Sequence, residues 1–164
     1  MLRFTFVFLL ICGIALAQTQ PSIEMIRKDV ASVQNSVNEA VNGAVPGFGV
    51  LQSAKGAYLD GYGIVVSVEV ALETTRNPFS GIRTPAEIRT TVDARRKQVT
   101  EKLTDFLKQR VRGLESIGPA ESVAIIANLL NTNPADLPDL PSQIVFSVKK
   151  EDAASGRINI REYK

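Results

Sequence analysis

The strongest constraint on the fold is the alternation of residue types between Gly63 and Leu72. Ile64, Val66, Val68 and Val70 alternate with Val65, Ser67, Glu69 and Ala71. A period of two is typical of a β-strand with one buried face. Val50–Leu59 also has strand composition, and Asp60-Gly61 between the two runs predicts a tight turn. Residues 50–72 are therefore predicted to form an antiparallel β-hairpin.

Two segments show helical periodicity. Residues 22–44 begin with Ser22 as a candidate N-cap, and their apolar residues recur at spacings of three and four. Residues 85–117 follow Thr84, whose hydroxyl forms a capping box with Glu87, and Gly118-Pro119 ends the pattern. Arg95 and Arg96 interrupt the apolar stripe of this second segment. The pattern therefore leaves open whether residues 85–117 form one helix or two.

Residues 122–149 are predicted to contain two strands separated by a proline-rich loop. Residues 122–130 are almost continuously apolar, which is typical of a strand covered on both faces, although a buried helix fits the same pattern. Residues 143–149 alternate and predict a fourth strand. The tail, residues 150–164, is predicted to form a short helical piece.

The order of these elements predicts an α+β domain over residues 18–164. Paired strands with helices between them favour a four-stranded, mainly antiparallel sheet covered by two helices. The face that carries Ile64 and Val66 is expected to pack on the long helix.

Residues 1–17 have the features of a secretory signal peptide. Arg3 precedes an apolar stretch, and Ala15-Leu16-Ala17 forms a small-x-small cleavage site. Cleavage between Ala17 and Gln18 predicts a secreted or periplasmic protein. The apolar run is shorter than the roughly 20 residues that span a bilayer, so no membrane span is expected after cleavage. Retention as an anchor and lipid attachment at Cys12 are the alternatives.

The composition excludes several classes of enzyme. The chain has no histidine, and its one cysteine, Cys12, lies in the leader. A Ser-His-Asp triad, a Cys-His pair and a histidine-ligated metal are therefore impossible. The formal net charge is +2, one unit of which belongs to Arg3, and no nucleic-acid partner is expected. The sequence assigns no catalytic residue, cofactor or metal ligand.

One loop collects several oxygen-bearing side chains. Asn131, Asn133, Asp136 and Asp139 lie close together in sequence and offer the ligands that calcium prefers. Turn and capping roles for the same residues are the competing interpretation.

The narrow apolar stripe of residues 22–44 suggests a partner. Ile26, Val30, Val33 and Val37 are predicted to contact another protein or a second copy of the chain, unless the helix lies on its own domain. The first hypothesis is accordingly a non-catalytic protein-interaction or structural domain of the cell envelope.

The alternative hypothesis is a small-ligand binder or a carboxylate-dependent hydrolase. Its site would lie near the hairpin and the loop of residues 131–141. The candidate pocket residues are Tyr58, Tyr62, Glu69 and Asp136.

Residues 57–66, with the sequence AYLDGYGIVV, resemble a YLxGYGVV-type hairpin of uncharacterised secreted bacterial proteins. In that family the hairpin precedes a long charged helix, an apolar strand and a lysine-containing strand. Residues 141–150, PSQIVFSVKK, are similar to the last of these elements. The resemblance implies a secreted bacterial α/β domain and transfers no catalytic residue.

Overall fold

The chain folds into a β-sheet with a layer of two helices on one face. The computed structural model describes residues 21–45, 49–73, 83–132 and 134–164. The predicted signal peptide lies outside the described residues. In chain order the helices and strands are α1 (Ile23–Ala44), β1 (Val50–Leu59), β2 (Gly63–Ala71), α2 (Pro85–Arg110), β3 (Ser122–Leu130), β4 (Gln143–Lys149) and β5 (Asn159–Tyr163). Short 3-10 turns follow α2 at Val111–Gly113 and precede β5 at Ala153–Ser155.

The strands of the described residues form one five-stranded sheet in the order β1-β2-β3-β4-β5. β2 and β3 are parallel because α2 carries the chain back across the sheet, and the other three pairs are antiparallel. The α+β class is confirmed.

The prediction of four strands is wrong because the helical piece of the tail is only the 3-10 turn Ala153–Ser155, and Asn159–Tyr163 forms a fifth strand. Gly156 takes a left-handed φ of +70° and ends the 3-10 turn, so the chain can double back. The residues that follow then pair with the outer edge of β4, with Val145 opposite Arg161 and Phe146 opposite Ile160. Pairing satisfies backbone groups that would otherwise be left at the edge of β4.

The long helix begins as predicted and ends earlier. The Thr84 hydroxyl accepts the backbone N–H of Glu87 at 3.3 Å, and the Glu87 carboxylate accepts that of Thr84 at 2.7 Å. The helix is continuous through Arg95, whose guanidinium reaches out to the Leu72 carbonyl at 2.8 Å. After Arg110 the chain leaves the α-helix. The backbone N–H of Ser116 then donates to the buried Asp29 carboxylate of α1 at 2.8 Å.

The core lies between the helices and one face of the sheet. The apolar residues of α1, α2, β2, β3 and β4 that point inward form a single cluster. Its largest fully buried members include Phe146, Ile64, Leu103 and Ile125. Each large side chain buried in this way contributes about 2 kcal/mol to the free energy of unfolding.

Glycine is required where β1 turns into β2. The N–H of Tyr62 donates to the Leu59 carbonyl at 3.0 Å, and Gly61 has the positive φ, +73°, that a type II turn needs at this position. Gly63 has a φ of +116°, and a Cβ there would lie 2.1 Å from the Ser122 carbonyl oxygen. A side chain at Gly63 would therefore collide with the start of β3.

A bulge in β1 is held by two side chains of α1. The register between β1 and β2 shifts between Gln52 and Lys55. Inside that interval the backbone N–H of Ala54 donates to Asn38 Oδ1 at 2.8 Å, and its carbonyl accepts from Gln34 Nε2 at 3.2 Å. The helix thus satisfies the backbone groups that the bulge removes from the ladder.

Candidate interaction surface

We call the sheet face opposite the two described helices the open face. Residues alternate between the two faces of a strand, and the inward set forms the core cluster just described. Ala71 and Ala124, which alternate with that set, are buried but are not part of the cluster. All five strands contribute residues to the open face, and these include Lys55, Ala57, Val65, Ser67, Glu69, Ala124, Ile126, Asn128, Gln143, Val145, Ser147, Asn159, Arg161 and Tyr163.

The centre of the open face is apolar. Val65 lies opposite Ala124, and Ile126 lies opposite Val145. Ala124 is buried and the other three are half-buried. We call these four residues the apolar patch. Side chains in adjacent strands contact each other across the ladder, which explains how these four residues are shielded in part although neither described helix lies above them.

Larger exposed side chains extend the apolar character of this face. Leu59, Leu130 and Tyr163 are 49%, 49% and 46% exposed, and the strand register places all three on the open face. Scattered exposed apolar residues are ordinary on a protein surface. Here they share one face with the apolar patch, and the polar side chains of Asn128 and Gln143 lie between the patch and both Leu130 and Tyr163.

A ladder of hydrogen bonds borders the apolar patch. Gln143 Nε2 donates to Asn128 Oδ1 at 2.9 Å, and Asn128 Nδ2 donates to Ser67 Oγ at 3.0 Å. These bonds cross three strands and hold the polar side chains against the sheet. Glu69, opposite Asn128, is exposed beside them.

Two cations flank the patch in one row across the sheet. Lys55 pairs with Ser67, Ser67 with Ile126, Ile126 with Val145, and Val145 with Arg161. Both cations are exposed, and at about 4.8 Å per strand they lie about 19 Å apart. The open face is thus apolar at its centre and basic at both edges.

The stripe predicted on α1 lies against the chain itself. Val33 and Val37 are 1% and 0% exposed and belong to the core, and Val30 packs against that core beside Gly56. Ile26 is half-buried. In this fold the chain's own residues occupy the greater part of the stripe, and the contacts proposed for it would require at least Val33 and Val37 to come out of the core.

The four residues proposed for a ligand pocket divide between the two ends of the sheet. Tyr58 and Tyr62 lie at the turn between β1 and β2. Glu69 lies about 20 Å along β2 from Gly63. Asp136 follows β3 at that far end, where its carbonyl accepts from Arg89 Nε at 2.7 Å. The structure therefore brings Tyr58 near Tyr62 but does not bring either near Glu69 and Asp136.

Sequence reasoning missed Glu121, which is the partner of Tyr58. The Tyr58 hydroxyl donates to Glu121 Oε1 at 2.9 Å, and the Gly118 N–H donates to Oε2 at 2.5 Å. Partial burial, followed by the hydrogen bond and the charge of Glu121, raises the pKa of Tyr58 above its ordinary value. Gly118-x-x-Glu121 was the available signal for this turn, but the contact with Tyr58 spans 63 positions in the chain.

Two residues of the oxygen-rich loop make side-chain contacts within the chain. Asn131 Nδ2 donates to the Leu137 carbonyl at 2.8 Å, and Asp139 pairs with Lys164 at 2.9 Å. Asn133 lies outside the described residues. Over the described part of the chain, no three acidic, cysteine or histidine side chains come together as a metal site would require.

An open cleft of about 270 Å³ lies near the end of α2, lined by Arg112, Pro119, Lys150, Glu151 and Ala154. Lys150 Nζ is already engaged, because it donates to the Leu114 and Ile117 carbonyls at 2.5 and 2.9 Å. This lysine holds the chain after α2 in place.

None of the described helices is both long enough and apolar enough to cross a bilayer. The chain matches no protein-family model, and no curated protein or solved structure is significantly similar to it.

Proposed function

We propose that this chain is a secreted or periplasmic domain that acts through protein contacts rather than by catalysis, and that its open face is the contact surface. The observation that carries the proposal is the apolar patch, which lies on the sheet face away from both described helices. Covering half-buried and exposed apolar side chains is the main source of binding free energy in protein association.

The surroundings of the patch indicate the chemistry of the partner. The row that contains Ile126 and Val145 ends in Lys55 on one side and Arg161 on the other. A complementary partner has an apolar centre and acidic groups about 19 Å apart, because charges of opposite sign at a rim steer encounter and set orientation. The hydrogen-bonded side chains of Asn128 and Gln143 are already ordered, which lowers the entropy lost on binding.

Site-specific photo-crosslinking tests the contact surface. A photoreactive phenylalanine analogue replaces Ile126 in the exported protein, and the matched control places it at Lys97, an exposed position of α2. We expect one adduct of discrete mass from position 126, absent from position 97. Equal labelling at both positions, or no discrete adduct from position 126, contradicts the proposal.

The intact mass of the exported protein tests the location separately. A chain that begins at Gln18 in the secreted or periplasmic fraction supports export with cleavage. A mass that retains residues 1–17 contradicts cleavage, and an added lipid mass at Cys12 places the protein on a membrane.

A further inference from the structure

The two edges of the sheet differ in their freedom to pair. At the β1 edge, α1 packs along the strand and its Gln34 and Asn38 side chains already bind the backbone of Ala54. At the other edge, β5 pairs with β4, and all five of its residues are exposed. An edge strand with unpaired backbone groups is a template for another strand.

We propose that β5 pairs antiparallel with β5 of a second copy, so that two sheets join into one across a two-fold axis. The strand carries two of the exposed large apolar side chains, Ile160 and Tyr163, at 40% and 46%. The proposal concerns the sheet edge, so it stands independently of the contact surface assigned to the open face.

Symmetry limits the registers that such a pair can adopt. A two-fold axis perpendicular to the sheet keeps each side chain on its own face, so a residue faces either itself or one an even number of positions away. Centring the pair on one of the three middle residues of β5 engages most of the strand, and these residues are Ile160, Arg161 and Glu162.

Charge selects among these three registers. Centring on Arg161 places two guanidinium groups opposite each other, and centring on Glu162 does the same with two carboxylates. Like charges directly opposite destabilise a strand pair. Centring on Ile160 places isoleucine against isoleucine and Asn159 against Arg161, so no like charges of β5 lie directly opposite each other.

The occupant is therefore a second copy in the register centred on Ile160. The area of one paired edge is small compared with that of stable dimers, so we expect a dissociation constant on the order of 100 µM. Light scattering and analytical ultracentrifugation across that range should show a monomer converting to a dimer.

Charge reversal at the residue on the axis tests the register. Ile160→Lys or Ile160→Asp places two like charges opposite each other, and we expect each variant alone to dimerise about tenfold more weakly. Mixing the two variants opposes lysine to aspartate, and the mixture should recover dimers. Leu51→Lys, at a comparably exposed position of β1, should dimerise like the wild type.

Three outcomes overturn the proposal. The first is a wild-type protein that stays monomeric at about 1 mM, which is ten times the expected dissociation constant. The others are dimers that persist in both charged variants, and a mixture of the two variants that stays monomeric. Far-UV circular dichroism of each variant checks that an edge substitution leaves the fold intact. Photo-crosslinking from Ile126 in the Ile160→Lys background separates the two proposals. If the variant no longer dimerises but still forms the photo-adduct, both the β5 edge and the open face are contact surfaces. If the photo-adduct is lost together with the dimer, the adduct comes from the dimer, and this contradicts a separate contact surface on the open face.

Discussion

At the scale of single residues, two glycines two positions apart in the Asp60–Gly63 turn region have different structural roles. Gly61 needs its positive φ, but a Cβ there would meet nothing within 4 Å. Gly63 combines a positive φ with a backbone oxygen of β3 at 2.1 Å from the Cβ position. One glycine serves the turn alone, and the other also lets the parallel strand approach.

The two glycines should therefore respond differently to alanine. We expect Gly61→Ala to lower the free energy of unfolding by about 1 kcal/mol, the cost of a left-handed alanine. Gly63→Ala should cost about 3 kcal/mol or more, because the Ser122 backbone must also move. Urea unfolding followed by circular dichroism measures both values, and equal losses would show that β3 does not lie against Gly63.

Tyr58 should make stability depend on alkaline pH. The raised pKa of Tyr58, caused first by burial and then by Glu121, means that the unfolded chain loses this proton first as pH rises. The stability that the Tyr58 hydroxyl contributes is thus fully present below about pH 10 and is lost as pH rises through the pKa of Tyr58 in the folded chain. Tyr58→Phe should remove this part of the alkaline decline, and it should cost about 1 kcal/mol at neutral pH through the lost hydrogen bond.

Urea unfolding of the wild type and of Tyr58→Phe at about pH 9 and about pH 11, on either side of the ordinary tyrosine pKa, measures how much free energy of unfolding each protein loses. Tyr62→Phe is the matched control, since Tyr62 lies in the exposed turn. The same alkaline decline in wild type and Tyr58→Phe would show that the hydroxyl does not bind Glu121 in solution.

At the scale of elements, α1 does more than cover the sheet. Its Asn38 and Gln34 amides supply both hydrogen bonds of the Ala54 backbone, which is 7% exposed and lies in the β1 bulge. The helix therefore fixes the shape of the edge strand as well as its apolar packing.

Asn38→Ala should expose this role. The substitution leaves a buried N–H without its acceptor, and we expect a loss of about 2 kcal/mol in the free energy of unfolding. Asn42→Ala, one turn further along the same helix at an exposed position, should change it by less than about 0.5 kcal/mol. Equal effects would mean that the Asn38 amide faces water rather than the bulge.

The elements that could be predicted from sequence are those with a local signal. The alternation in Ile64–Val70 and the Thr84-Glu87 capping box each depend on residues close in sequence, and both predictions are confirmed. β5 was missed because Asn159–Tyr163 is short and polar, and it becomes a strand through the edge that β4 offers. The parallel pairing of β2 and β3 depends on where α2 packs, which no local pattern contains.

At the scale of the whole molecule, the candidate site depends on which faces the fold covers. Val33 and Val37 show the same apolar periodicity whether their partner is another chain or their own sheet, and the structure places them in the core. The open face gives no comparable local signal, since it combines single residues from several strands. Its apolar patch exists only once β2, β3 and β4 lie side by side.

The two neighbours Ile125 and Ile126 test this two-layer arrangement directly. They have the same side chain and adjacent positions in β3, but Ile125 is fully buried under the helices and Ile126 is half-buried on the open face. Ile125→Ala opens a cavity in a close-packed core and should cost about 4 kcal/mol. Ile126→Ala loses only part of its buried area and should cost about 1 kcal/mol.

Urea unfolding at a protein concentration of about 1 µM, far below the expected dimer dissociation constant, keeps the comparison to the isolated chain. A loss from Ile126→Ala as large as that from Ile125→Ala would show that a further layer covers the open face, and would rule out that face as a free contact surface. A small loss, together with a weakened photo-adduct from a neighbouring probe at Val145, would assign Ile126 to binding rather than to folding. The same comparison would show that the helices supply the stability of the sheet while its other face remains available to a partner.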